Sequence, residues 1–98
     1  MFSRSSSNIY LSGNTLCAVC KDSQGNDHNS SINLNNLIGN IEGKLTWGES
    51  NFAASSSNIS LSGSTLSAQC KDSNGNVHNS SINLDNYISN IEGTLTAN

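Results

Sequence analysis

The chain of 98 residues has no proline, only five aromatic residues and few charges, Asp, Glu, Lys and Arg making up 11% of it. With no proline, nothing forces a rigid linker or a fixed break between segments. The four basic residues, Arg4, Lys21, Lys44 and Lys71, are scattered, and the net charge is −3. Neutralising phosphates takes clustered Lys and Arg, so nucleic acid is excluded as a partner. Apolar runs are too short to cross a bilayer, and no membrane insertion is expected. The opening MFSRSSS lacks the apolar stretch of a signal peptide. A cytoplasmic location is therefore expected, unless a leader has already been removed.

Cysteine is scarce and odd in number: Cys17, Cys20 and Cys70. Leu16, Ala18 and Cys20 alternate as strand positions do, which sends Cys17 and Cys20 to opposite faces. Three residues of strand span roughly 10 Å, beyond the ~7 Å that a disulfide tolerates. A redox C-x-x-C pair needs a helix N-terminus, which this stretch does not offer. Cys20 and Cys70 are expected as buried thiols behaving as small hydrophobes, and Cys17 as an exposed one. Unpaired thiols again favour a reducing compartment.

What the chain does have is a copy of itself. Ser5 to Thr46 recurs as Ser55 to Thr96, displaced by fifty positions without a gap, and 32 of 42 positions are identical. Any site built from the unit should therefore occur twice. Each copy is too small to be stable alone, so the chain is expected to form one domain, 1–98, from repeats 3–48 and 53–98 that share a core or exchange segments. In each copy Ile9 and Leu11 (Ile59 and Leu61) begin a strand that ends at Ser-Gly, and Leu16, Ala18 and Cys20 (Leu66, Ala68 and Cys70) form the next. Gly25 and Gly75 mark a tight reversal before a third strand, His28 to Leu34 or His78 to Leu84. A polar helical turn follows at Asn33 to Leu37 or Asn83 to Tyr87. Ile38, Ile41 and Leu45 then continue the apolar pattern, interrupted by a turn at Gly43. Trp47 and Phe52, in the joint WGESNFAA, are expected to plug the shared core. The fold class is all-β.

No catalytic set stands out, and no enzyme, cofactor or metal site is expected. His28 and His78 are equivalent strand-end residues and read as polar surface groups. No G-x-S-x-G accompanies the many serines. Asp72-x-Asn74-x-Asn76 begins like a calcium loop, but Val77 and Asn83 stand where glycine and a bidentate Glu are required. The first copy fails in the same way at Gln24, Asp27 and Asn33. Asn29, Asn58 and Asn79 head N-x-S triplets that this composition produces by chance. The amides, carboxylates and hydroxyls near the turns suit a ligand made of hydroxyl groups, each of which donates and accepts. A solvated loop surface has the same composition.

In NIEGTL, NSSINLDNYISNIEG and WGESNF the sequence resembles the cyanovirin-N family of mannose-binding lectins, over essentially its whole length. The resemblance implies a pseudo-symmetric pair of triple-stranded sheets with β-hairpins and short 3₁₀ turns, the halves exchanging segments. It implies a carbohydrate-binding protein for mannose-rich oligosaccharides and glycoproteins, particularly α1,2-linked mannose termini, with antiviral activity as a further implication. The first site would comprise Met1, Arg4, Ser5, Lys21, Asp22, Ser23, Gln24, Asn90, Ile91, Glu92 and Gly93. The second would comprise Gly39, Asn40, Ile41, Glu42, Ser50, Asn51, Ala54, Ser55, Lys71, Asp72, Ser73 and Asn74. The fifty-residue offset relates the two sets.

Several positions depart from the family pattern. Ser6 and Ser56 stand where members with two disulfides have cysteines, which leaves Cys20 and Cys70 without those partners. Gly39 and Ala54 replace acidic residues, a small polar residue near Ser73 and Asn74 replaces an arginine, and Met1 and Arg4 replace polar residues. Gly48-Glu49 stands at the hinge in place of proline, so a monomer is expected, with a domain-swapped dimer as the other arrangement. The alternative function is a structural or protein-interaction domain of the same fold without sugar binding; a glycan hydrolase would need two carboxylates flanking a cleft.

Overall fold

The computed structural model describes residues 1–97. Seven-residue strands β1 (Ser6–Ser12), β2 (Thr15–Lys21) and β3 (Asp27–Asn33) form an antiparallel sheet in that order. A hairpin of β4 (Ile38–Ile41) and β5 (Lys44–Trp47) follows. The second copy repeats the plan with β6 (Ser56–Ser62), β7 (Thr65–Lys71) and β8 (Val77–Asn83), then β9 (Ile88–Ile91) and β10 (Thr94–Ala97). A 3₁₀ turn at Phe2–Ser5 precedes β1, and three more, Leu34–Asn36, Phe52–Ser55 and Leu84–Asn86, lie between strands. Asn33 and Asn83 start two of them, their side-chain carbonyls accepting the N–H groups of Asn35 and Asp85. Such caps satisfy donors that a short turn leaves unpaired.

The strand pattern settles which face is buried. Leu16, Ala18 and Cys20 of β2 point inward with Leu66, Ala68 and Cys70 of β7, all at most 4% exposed. The intervening residues face out, and Cys17 is half-buried on the face opposite Cys20. All three thiols are free. Ser6 Oγ lies 3.3 Å from Cys20 Sγ and Ser56 Oγ 3.4 Å from Cys70 Sγ, so a hydroxyl occupies the space beside each buried thiol.

Each hairpin packs on the sheet of the other copy. Leu95 of β10 donates its N–H to Ser30 Oγ of β3 at 2.9 Å, and Leu45 of β5 donates to Ser80 Oγ of β8 at 3.0 Å. Neither sheet buries its inner face without the partner's hairpin, and the inward residues of both copies join one hydrophobic cluster. The result is elongated, 51 × 20 × 17 Å.

Two expectations about the core need correction. Phe52 is fully buried, but Trp47 is not a plug; it is half-buried and stacks on Tyr87 with ring centroids 4.8 Å apart. The matching plug is Phe2, fifty positions before Phe52 and equally buried. Ile41 does not continue the inward pattern. It and Ile91 are about half exposed, because each is the last residue before a hairpin turn.

Candidate functional site

Each tip of the molecule is assembled from three segments, which two asparagines hold together. Asn90 Nδ2 donates to Ser5 Oγ and to the Lys21 carbonyl, both at 2.8 Å, while its Oδ1 accepts the Gly93 N–H at 2.8 Å. Asn40 repeats this with Ser55 Oγ, the Lys71 carbonyl and the Gly43 N–H, all at 2.8 Å. Both amide hydrogens are spent in each case. Asn40 and Asn90 therefore join the N-terminal or linker 3₁₀ turn, the β2–β3 or β7–β8 turn, and the hairpin tip. They position the site and have little capacity left for a ligand.

The hairpin turns are Glu42-Gly43 and Glu92-Gly93, with φ of 50° and 87° in the first and 48° and 88° in the second. Two successive positive φ values make the tight reversal that follows the strand twist. For a glutamate this conformation is uncommon and costs energy. It aims the carboxylate across the gap: Ser23 donates from Oγ (2.8 Å) and N (3.3 Å) to Glu92 Oε1, and Ser73 does the same to Glu42 Oε1. The other carboxylate oxygen makes no bond among the described residues, and each glutamate is exposed. That oxygen is an uncommitted anionic acceptor at each tip.

Asp22 and Asp72 shape the facing turns from within. Asp22 Oδ1 accepts the N–H groups of Gln24 and Asn26, both at 2.9 Å, and Oδ2 meets His28 Nε2 at 2.7 Å. Asp72 does the same with Asn74, Asn76 and His78. The histidine contact, joined by the backbone N–H groups, holds both carboxyls below the usual range, against the opposing effect of desolvation. With both oxygens taken, this turn does not present a calcium loop. No metal-binding cluster occurs among the described residues. His28 and His78 are more than polar surface groups. Each bonds its aspartate and also lies beneath the hairpin glycine of the other copy, where a Cβ on Gly93 or Gly43 would run into the imidazole.

The remaining positions separate the two ends. Met1 and Ile91 are exposed at the first tip, where Arg4 follows the buried Phe2. Lys21 is held at 2.9 Å by Asp27. At the second tip Val77 replaces Asp27, and Lys71 makes no ion pair among the described residues. A cleft of about 210 Å³ lies there, lined by Ala54, Ser55, Ser56, Ser57 and Lys71. Asn51, in the left-handed region at φ 65°, accepts from Asn35 Nδ2 at 3.4 Å and bonds the Asn35 carbonyl through its N–H at 2.7 Å. Gly39 has no room for a side chain, because a Cβ would meet Glu49 Cβ and the Ser50 backbone. The joint between the copies thus occupies the space of the acidic residue that the resemblance would place there.

The Asp85 contact was not legible from the sequence. Its carboxylate accepts from Ser3 Oγ and, at 3.0 Å, from the Ser3 N–H, which fixes the 3₁₀ turn beneath the first tip. Burial raises the Asp85 pKa, but bonds from Ser3 and Ser64 outweigh it and leave the carboxyl below its ordinary value. At the other end neutral Asn35 holds Ala53 in the same way, Oδ1 accepting at 3.1 Å. The fifty-residue offset, extended back beyond Ser5, pairs Ser3 with Ala53 and Asp85 with Asn35.

The CVNH domain model matches residues 2–96. Among solved structures, the CVNH protein of T. borchii is 36% identical, with 99% of this chain and 98% of that chain covered and a TM-score of 0.89. A complex of microvirin with mannobiose is 28% identical, covering 99% and 97%, with a TM-score of 0.86. A MoCVNH3 variant in complex with (N-GlcNAc)4 is 25% identical, covering 99% and 96%, with a TM-score of 0.94.

Proposed function

This chain belongs to the CVNH family, and on that footing we propose that it is a non-enzymatic lectin binding mannose-rich oligosaccharides, in particular α1,2-linked mannose termini, at its two tips. The observation that carries this reading is the repeated glutamate. Glu42 and Glu92 are each held by one oxygen, while the other, on an exposed side chain, makes no bond among the described residues. A sugar diol donates two hydrogen bonds, and a carboxylate oxygen accepts them more strongly than a neutral group does. The complexes of microvirin with mannobiose and of the MoCVNH3 variant with (N-GlcNAc)4 support a saccharide as the ligand class.

At the second tip Lys71 and the cleft beside Ala54 take the sugar, and Asn51 and Asn74 add amide contacts. Arg4, Ser5 and Gln24 serve the first tip. The exposed Ile41 and Ile91 give the C–H surface of a pyranose an apolar seat. Each contact is weak alone. Tips at opposite ends of a 51 Å molecule bind branched glycans and glycoproteins tightly when both are engaged. The protein acts as a monomer.

Glu42→Ala and Glu92→Ala, made separately, test the assignment by NMR titration with α1,2-dimannose. Each change should abolish the shifts at its own tip and leave the other tip responsive. If neither lowers affinity, the tips are not the sites. Silence on every mannose-terminated glycan of an array would favour a protein-interaction domain instead.

A further inference from the structure

The two copies differ on one sheet face in a single direction. Tyr10, Cys17 and Val19 of the first copy correspond to Ser60, Ser67 and Gln69 of the second. These positions are neighbours: Tyr10 pairs with Cys17 across β1 and β2, Cys17 pairs with Ser31, and Val19 pairs with Asn29 across β2 and β3. All lie on the outer face, away from Leu16 and Ala18. At the same place β1 is bulged at Asn8, φ 51°, and the register shift opens a groove of about 330 Å³ beside Tyr10. Tyr10 is 55% exposed, a large aromatic face left in water.

The polar groups differ in the same way. In the second copy the bulge amide is tied down, Asn58 Nδ2 donating to Gln69 Oε1 at 2.6 Å. Val19 cannot accept such a bond, so the Asn8 amide has no partner among the described residues. Neither do the side chains of Asn29 and Ser31. The first groove therefore combines an aromatic face, an apolar floor of Cys17 and Val19, and uncommitted amides and hydroxyls. No charged residue lines it. An ionic ligand would find no counter-charge there.

We propose that this groove is a third saccharide site, distinct from the tips, for neutral oligosaccharides of equatorially substituted hexopyranoses. Such a ring has flat C–H faces that pack on the electron-rich face of Tyr10, while its edge hydroxyls meet Asn8, Asn29 and Ser31. A second groove of about 340 Å³ shares Asn8 and Tyr10 and continues toward Ile59 and Leu61 of the other copy. The site thus accommodates more than one sugar unit, with Tyr10 between adjacent rings.

The test is an amide-shift titration of the full chain with cellotetraose and, separately, chitotetraose; comparing the two shows whether an acetamido group is required. Either sugar should move the signals of Tyr10, Val19, Asn29 and Ser31 and leave Ser67, Gln69 and Asn79 in place. Tyr10→Ser copies the residue the second repeat already carries, so the fold should persist, and binding should weaken roughly tenfold. The α1,2-dimannose shifts at the tips should be unchanged in this variant, which separates failure here from failure of the tip sites. Ser60→Tyr with Gln69→Val should create a matching response in the second copy. The proposal is overturned if neither tetrasaccharide moves the patch at millimolar concentration or if Tyr10→Ser binds as well as the parent. It is equally overturned if the shifts fall only around Trp47 and Tyr87, or if the patch responds to protein concentration alone, which would mark it as a contact between copies.

Discussion

The imidazole of His28 lies directly beneath Gly93, so that the strand of one copy closes the hairpin turn of the other. The same ring holds Asp22 at 2.7 Å, and Asp22 in turn organises the loop that carries Ser23 to Glu92. His78, Gly43, Asp72 and Glu42 repeat the arrangement at the other tip. Hairpin, histidine and loop therefore form one unit, and disturbing the glycine should disturb the glutamate.

Gly93→Ala should cost about 1–3 kcal/mol, because it combines a side chain at positive φ with an imidazole that must move. Gly25→Ala is the control. Its φ is also positive, but the space around it is open, so it should cost only about 1 kcal/mol. Urea unfolding gives both values. Gly93→Ala should also lose sugar-induced shifts at the first tip while the second tip still responds; equal effects of the two alanines on stability and on binding would contradict the coupling.

The two ends differ in how they hold their lysine. Asp27 pairs with Lys21, whereas with Val77 opposite it Lys71 has no ion pair among the described residues. Val77→Asp should draw Lys71 away from the second cleft and weaken dimannose there roughly two- to fivefold, the scale of an exposed ion pair. Asp27→Val should release Lys21 and strengthen the first tip by a similar factor. Site-resolved NMR titrations read both. If the lysines do not contact ligand, neither variant will change affinity.

Much of this was legible because it is local. Alternation in Leu16, Ala18 and Cys20 revealed the buried face of β2, the glycines located the turns, and Asn33 and Asn83 marked the starts of 3₁₀ turns. The tip residues were grouped by the resemblance to the cyanovirin-N family, and the fifty-residue offset, an internal alignment, agrees with that grouping. What escaped was decided by tertiary contact. Trp47 has the bulk of a core residue, yet Tyr87 gives it a partner at the surface. His28 looks like a solvated strand end until Gly93, sixty-five positions later, is laid over it. Phe2 matches Phe52, but it lies just before the stretch where the two copies are most alike.

Ser6 and Cys20 are directly paired across β1 and β2, as are Ser56 and Cys70 across β6 and β7. Oxygen and sulfur already approach to 3.3 and 3.4 Å, and opposed residues of antiparallel strands have a Cα separation of about 4.5–5.5 Å, within disulfide range. Ser6→Cys and Ser56→Cys should each oxidise to a bridge closing a short loop, stabilising the fold by roughly 3 kcal/mol. Thiol counting and denaturant midpoints with and without reductant check this. A stabilisation that survives reductant would point to packing and not to the bridge.

Asp85 gives the two ends different responses to acid. It holds the Ser3 turn with a carboxylate, whereas Asn35 holds the Ala53 turn with an amide. Because the folded-state pKa of Asp85 lies below its ordinary value of 3.8, its contribution to stability is complete above that value. The contribution is lost as pH falls through the lowered folded-state value. Asp85→Asn copies the amide of the other end. It keeps an acceptor for the Ser3 N–H but weakens the bond from Ser3 Oγ. At neutral pH it should cost about 1 kcal/mol, or roughly 4–8 °C in Tm for a domain of this size. The gap between parent and variant should narrow as the solution is taken below the ordinary carboxylate range, since the parent then loses the charge that the variant never had. Thermal melts of both proteins across that range decide the matter: a gap independent of pH would show that shape, and not charge, holds the first tip in place.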